Sequence, residues 1–223
     1  MESFANIYAR AAERKGGAAA LDALLNKPKT PAQVKRLTDA EVLAEMTKCV
    51  FRSGFVWKII EAKWPAFERE FAEFDVNTCA MLSDEDLERL SQNPDIVRNG
   101  KKIASVRGNA HYIQTIRETH GSFGAFLAGW PVDDFVGLWD HLKQGGERLG
   151  GQTGRFFLRF VGWDSPMLSN DVVRALVAAG VVEKTPSSKR ALAATQGAFN
   201  TWRAESGRSL TEISRTLAMS VSD

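Results

Sequence analysis

Cysteine and histidine are scarce in this sequence of 223 residues, with two of the first and three of the second. Cys49 and Cys79 stand at no metal-binding spacing and form no disulfide framework, and His111, His120 and His141 add too little for a zinc site of the Cys/His kind. No metal and no other cofactor is expected. An excess of one charge is also missing: 29 basic against 27 acidic residues leave +2. That balance lacks the overall basic signature of a nucleic-acid binder, although a local basic surface is compatible with it. No apolar run approaches the roughly 18 residues that suggest a membrane span. The opening "MESFANIYARAAERKGG" has no apolar h-region of a secretory signal. A cytoplasmic protein is the expectation. Alternating strand patterns, Asn-Gly or Asp-Gly hairpins, internal repeats and low-complexity segments are absent too, and the most linker-like stretch, "NKPKTPAQ", is short.

What is present is helical periodicity. With 44% hydrophobic residues the chain has enough apolar surface for a core, in one domain or two joined lobes. "LTDAEVLAEMTKCVF" sets Val42, Leu43, Met46, Cys49 and Val50 on one face, behind a capping box of Thr38 and Glu41. Ser83 with Asp86 announces a second helix and Ser209 with Glu212 a last one. "NGKKIASVRGNAHYIQTIRETHG" aligns Ile103, Val106, Ala110, Ile113 and Ile116, with Gly121 as its stop. "PVDDFVGLWDHLKQGG" and "SSKRALAATQGAFNTWRAESG" read the same way. The fold class is all-α.

Two stretches admit a functional reading beside the structural one. "CVFRSGFVWKII", residues 49–60, gathers Phe51, Phe55 and Trp57 around Gly54, with Arg52 beside them. A glycine there weakens a helix by roughly 1 kcal/mol, so the run is either a kinked core helix or aromatic lining for a ligand. "LKQGGERLGGQTGRFFLRF" places Gly150, Gly151, Thr153 and Gly154 between helical runs. Such a turn leaves backbone N–H groups open at a helix start, which suits phosphate oxygens, with Arg155 as an added charge. A plain helix–helix connection needing positive φ explains the same glycines. In "IVRNGKK", Arg98, Asn99, Lys101 and Lys102 are candidate phosphate contacts or a solvated turn.

Taken in order, four segments resemble one family. They are Gly54-x-x-Trp57 before an amphipathic helix, "FAEFDVNTCAMLSDEDLERL", "IVRNGKKIASVRGNA", and "RFVG" followed by "SNDVV". The family is DNA-3-methyladenine glycosylase I, the constitutive bacterial enzyme. The likeness is strong over residues 41–116 and patchy over 142–175. It implies the helix-hairpin-helix DNA glycosylase fold, two helical lobes with a base pocket between them, as a single domain over residues 1–223. The core would be 38–180, the hairpin near 149–155, and segments 1–37 and 181–223 would complete the lobes. "RLGGQTGR" is then similar to the superfamily hairpin that grips the DNA backbone through its amides, with Gly150 in place of a proline and Thr153 in place of the second glycine. Such enzymes extrude the target nucleotide from the stack. By the resemblance, Trp57 would stack on the flipped base while Gly54 and Phe55 face the gap in the duplex. Arg52 and Lys101 would contact DNA.

The sequence also departs from the family. A glutamate that reads the damaged purine is replaced by Cys49, or by Val50 on the other count. The ligands of the family's structural zinc are missing, which leaves the helical tail to tie the termini together. Tyr8 is the one candidate for a pocket tyrosine, with a plain helix-face tyrosine as its other reading. Asp171 stands near the position of a superfamily aspartate that stabilises the sugar cation, and is equally readable as a helix cap. Lysine is missing from the lyase position, where Arg155 and Phe156 stand. The resemblance therefore implies a monomeric enzyme of base-excision repair acting on double-stranded DNA that carries alkylated purine, most simply 3-methyladenine, by hydrolysis without strand cleavage. A non-catalytic DNA- or lesion-binding relative of the same fold is the alternative, and an unrelated helical module the third.

Overall fold

A computed structural model of the protein describes residues 1–221. Every regular element among them is helical: α1 (Phe4–Lys15), α2 (Ala18–Asp22), α3 (Pro31–Lys35), α4 (Asp39–Arg52), α5 (Trp57–Glu70), α6 (Val76–Ala80) and α7 (Asp84–Gln92) come first. Then follow α8 (Gly100–His120), α9 (Phe123–Gly129), α10 (Phe135–Gly145), α11 (Gln152–Val161), α12 (Asn170–Ala178), α13 (Lys189–Ser206) and α14 (Leu210–Ser220). Among the described residues no helix is long and apolar enough to cross a membrane.

The local start signals act as the sequence expects. The side chains of Thr38, Ser83 and Ser209 each accept from the backbone N–H three residues on, and Glu41, Asp86 and Glu212 reach back to complete the box. One expectation is corrected: the cap of α12 is Ser169, whose hydroxyl accepts from the Val172 amide, so Asp171 lies inside the first turn and is not the cap.

The chain forms two compact units. One comprises Met1–Lys29, Pro131–Gly137 and the chain from Asp164 onward; the other comprises Thr30–Trp130 and Leu138–Trp163. In the first, α1 packs on α14, which also packs on α12. The tail holds the first residues directly: the indole N–H of Trp202 donates to the Glu2 carbonyl at 3.0 Å, and the Phe4 amide donates to Glu205 at 2.9 Å. Trp202, Phe199, Ile213 and Leu217 are fully buried there.

In the second unit α4 is central, packed against α8 and α11. Val42, Leu43, Met46, Val50 and Phe51 of α4 are buried, as are Ile103, Val106, Ala110 and Ile113 of α8. The rings of Trp64 and Phe67 on α5 and of Phe71 and Phe74 just after it form a closed cluster of four contacts, with the paired planes within 20° of parallel. Phe74 of this cluster lies in a turn in which Ala72, Glu73 and Phe74 all have positive φ, a conformation that costs L-residues about 1–2 kcal/mol each.

Candidate functional site

"CVFRSGFVWKII" is two helices and a turn. α4 ends at Arg52, Gly54 takes φ +69°, and α5 begins at Trp57. The glycine therefore interrupts no helix; it supplies the left-handed residue that the turn needs. Helix ends leave carbonyls without partners. Here Lys102, reaching across from α8, donates through Nζ to Phe51 O at 3.2 Å and Ser53 O at 2.6 Å. Burial lowers its pKa, with Arg148 adding to the effect. Because the turn is tight, its apolar residues point outward. Phe55, Val56, Trp57 and Ile59 are each at least 42% exposed, whereas Phe51 is wholly buried. Trp57 is thus not a core residue.

"RLGGQTGR" forms the bend between α10 and α11. Gly151, with φ +61° and ψ −133°, caps α11 without any side-chain bond. That backbone state belongs essentially to glycine. Arg148 adopts φ +62° in the same bend. Asn109 of α8, fully buried, locks the bend from behind: its Nδ2 donates to Glu147 O at 3.1 Å, and its Oδ1 accepts from the Glu147 amide at 2.8 Å. Asn109→Ala leaves both backbone groups without that partner. It is expected to cost about 1–2 kcal/mol and to lower the thermal midpoint by about 2–8 °C, read by circular dichroism. An unchanged midpoint would show that the bend holds itself.

The turn and the bend meet around an open pocket of about 250 Å³, lined by Cys49, Arg52, Ser53, Gly54, Trp57, Gln152, Thr153, Phe156 and Phe160. Ligand pockets run from about 300 Å³ upward, so this one suits a small flat group. Phe156 and Phe160, one helical turn apart on α11, stack with centroids 5.8 Å apart, and Trp57 meets both edge-on at 5.5 and 5.9 Å. The Arg52 guanidinium lies 5.0 Å from the Trp57 ring centre and 4.9 Å from that of Phe160. It donates to Glu61 through Nε at 3.1 Å and through Nη2, and stands 3.5 Å from Glu45. Lys48 shares Glu61 at 2.9 Å. Burial lifts the carboxyl of Glu45 above its ordinary range, against the opposing pull of its bond from Cys49 Sγ at 3.5 Å and of Arg52. The Cys49 thiol is itself pushed far up by burial and by Glu45. No carboxylate lines the pocket itself.

A second cavity of about 390 Å³ shares Ser53 and Thr153 with the first and is lined by Val50, Lys102, Arg148 and Gly150 as well. It gathers two cations beside the bend. The remaining candidates line neither cavity. Arg155 turns onto Trp139 at 4.2 Å, where burial pulls its pKa down to about 10, so its guanidinium is directed at an indole. Gly154 is packed against the backbone of Leu149. Lys101 is exposed on α8. Tyr8 and Asp171 belong to the other unit. The hydroxyl of Tyr8 donates to Asp22 at 2.9 Å and its ring carries the Arg208 guanidinium at 4.7 Å. Asp171 pairs with Arg174 at 2.8 Å. Phe156, Phe160 and Arg148 escape the sequence reading. The first two follow the i, i+4 spacing of core residues, and nothing local marks an arginine for a left-handed turn. Among the described residues no three Cys, His, Asp or Glu side chains are arranged to hold a metal ion.

A family model described as methyladenine glycosylase matches residues 33–143 of the chain. Among solved structures, 3-methyladenine DNA glycosylase I from Staphylococcus aureus, studied for its recognition of 3-methyladenine, is 25% identical and superposes with a TM-score of 0.52, over 64% of this chain and 82% of that one. The 8-oxoguanine glycosylase/lyase of Methanocaldococcus jannaschii, in complex with a 15mer DNA containing 8-oxoguanine, is 16% identical with a TM-score of 0.51, over 95% and 94% of the two chains. The 8-oxoguanine DNA glycosylase of Thermotoga maritima is 17% identical with a TM-score of 0.51, over 96% and 95%. These last two likenesses are of fold: the all-helical architecture is that of helix-hairpin-helix DNA glycosylases.

Proposed function

The chain belongs to the methyladenine glycosylase family, and from that premise we propose that it is a base-excision repair glycosylase that hydrolyses the N-glycosidic bond of alkylated purine, most simply 3-methyladenine. The observation that carries this reading is the pocket of Trp57, Phe156 and Phe160 beside the glycine bend. A nucleotide must leave the stack before its glycosidic bond is reachable, and the flipped base then needs a flat apolar wall. Trp57 is that wall. Phe55 and Val56, exposed on the adjoining turn, face the gap left in the duplex. The amides that open α11, with Arg148 beside them, take the phosphates of the strand.

The chemistry asks little of the protein. A ring-methylated purine carries positive charge and departs as a neutral base, so a pocket without a carboxylate is sufficient for water to replace it at the sugar. No step rests on Asp171. Neither pocket nor lyase position offers a lysine amine, which supports hydrolysis without strand cleavage. The alternative, a lesion-binding relative without catalysis, draws on the neutral Cys49 at the purine-reading position. Incubation with methylated duplex DNA, followed by chromatography of the released bases, divides the two. Release of 3-methyladenine above the spontaneous rate, with the strand left intact, is expected. DNA binding with no release would overturn the enzymatic reading.

A further inference from the structure

We propose that Arg52 sets the selectivity of the pocket by holding its aromatic corner as a resident cation, so that a base enters only by displacing the guanidinium. This rests on the base-pocket reading above. Trp57 and Phe160 meet at 73°, and the guanidinium sits at nearly equal distance from both. Phe156 closes a third side. Aromatic corners of this kind bind cations through the negative faces of their rings. Guanidinium is flat and its charge is delocalised, as in a ring-methylated purine; the chain carries a likeness of its ligand in its own pocket.

The surrounding charges make the exchange selective. Lys48 remains on Glu61 when Arg52 leaves, so that acid keeps a partner. Glu45, 3.5 Å from Arg52, loses its nearest cation. A positively charged base restores both the ring contacts and the charge facing Glu45. A neutral base of the same shape restores neither. Undamaged purines are thereby refused without any donor or acceptor that reads their edge, a discrimination made by competition.

Binding of two small probes tests this by calorimetry: 3,9-dimethyladeninium, which carries a fixed positive charge, and neutral 9-methyladenine. Wild-type protein is expected to bind the cation at least about tenfold more tightly than the neutral probe. Arg52→Gln is expected to bind the cation about tenfold more tightly than wild type does, because the competitor is gone. Arg52→Lys, which keeps the charge and loses the flat group, falls between. Equal or weaker binding of the cation by Arg52→Gln overturns the proposal, since Arg52 would then be a contact and not a competitor. Equal binding of both probes by wild type, or no binding of the cation by either protein, overturns it as well. Base release from methylated DNA, assayed in parallel, judges the underlying function: release without a gain in Arg52→Gln sinks the role of Arg52 alone, and no release together with no binding sinks both.

Discussion

Trp57→Ala is expected to reduce base release by about 100-fold while leaving the protein folded. The side chain is 42% exposed and packs on Phe156, Phe160 and Arg52, so truncation removes only part of the burial that a core indole would lose. The stability cost should be about 1–3 kcal/mol, below that of a fully buried aromatic. The loss of function has its own source. Stacking of a base on an aromatic side chain is worth about 1–3 kcal/mol, and a cationic base adds attraction of about 0.5–2 kcal/mol. Together these correspond to about one to three and a half decades in the affinity for the flipped state. Trp202→Ala is the contrast. That indole is completely buried with its N–H on Glu2, and its loss should cost about 3–5 kcal/mol of stability with no specific effect on the folded fraction's chemistry. Single-turnover release and thermal melts of both variants test the pair. A Trp57→Ala protein that excises normally would remove the indole from the site and the proposed function with it.

How much of this was readable in advance depends on the range of the interaction. Helix starts were legible because a capping box is complete within four residues, as at Thr38 to Glu41. The buried face of α8 was legible because one helix repeats its pattern over 21 residues. Trp57 and the bend at 150–154 could be singled out only through their order along the chain relative to a known family. What stayed hidden is set by contacts between distant segments. Lys101 and Lys102 are neighbours in sequence, yet one is exposed and the other is buried on the end of α4; no local rule separates them. Arg155 looked like a phosphate contact because it follows the glycines, and Trp139, sixteen residues earlier, claims it. The sequence marks Arg52 only as a charge beside the aromatic residues around Gly54. Its place over Trp57 needs the turn at Gly54 to fold α5 back beside α4, and its contact with Phe160 needs α11, a segment that the sequence keeps far away.

The second large effect should come from a single methyl group in the bend. A Cβ added at Gly154 would stand 2.2 Å from the carbonyl oxygen of Leu149. That atom belongs to the backbone and has no rotamer through which to escape, while the Leu149 side chain is itself buried. Gly154→Ala must therefore separate the first turn of α11 from the bend, with an expected loss of about 3 kcal/mol, the upper range for overpacking. The displaced groups are the amides proposed to hold the phosphate strand. Affinity for undamaged as well as methylated duplex should then fall together, since phosphate contacts carry no sequence information. Gly197→Ala, in the middle of α13 with nothing within 4 Å of the added carbon, should instead be neutral or stabilising by up to about 1 kcal/mol. Urea melts report the first quantity, and fluorescence anisotropy of a labelled duplex at several salt concentrations the second. Should Gly154→Ala melt like wild type, the close approach to Leu149 is not a constraint. Should it lose stability yet keep full affinity for DNA, the strand is held by something other than the amides that open α11.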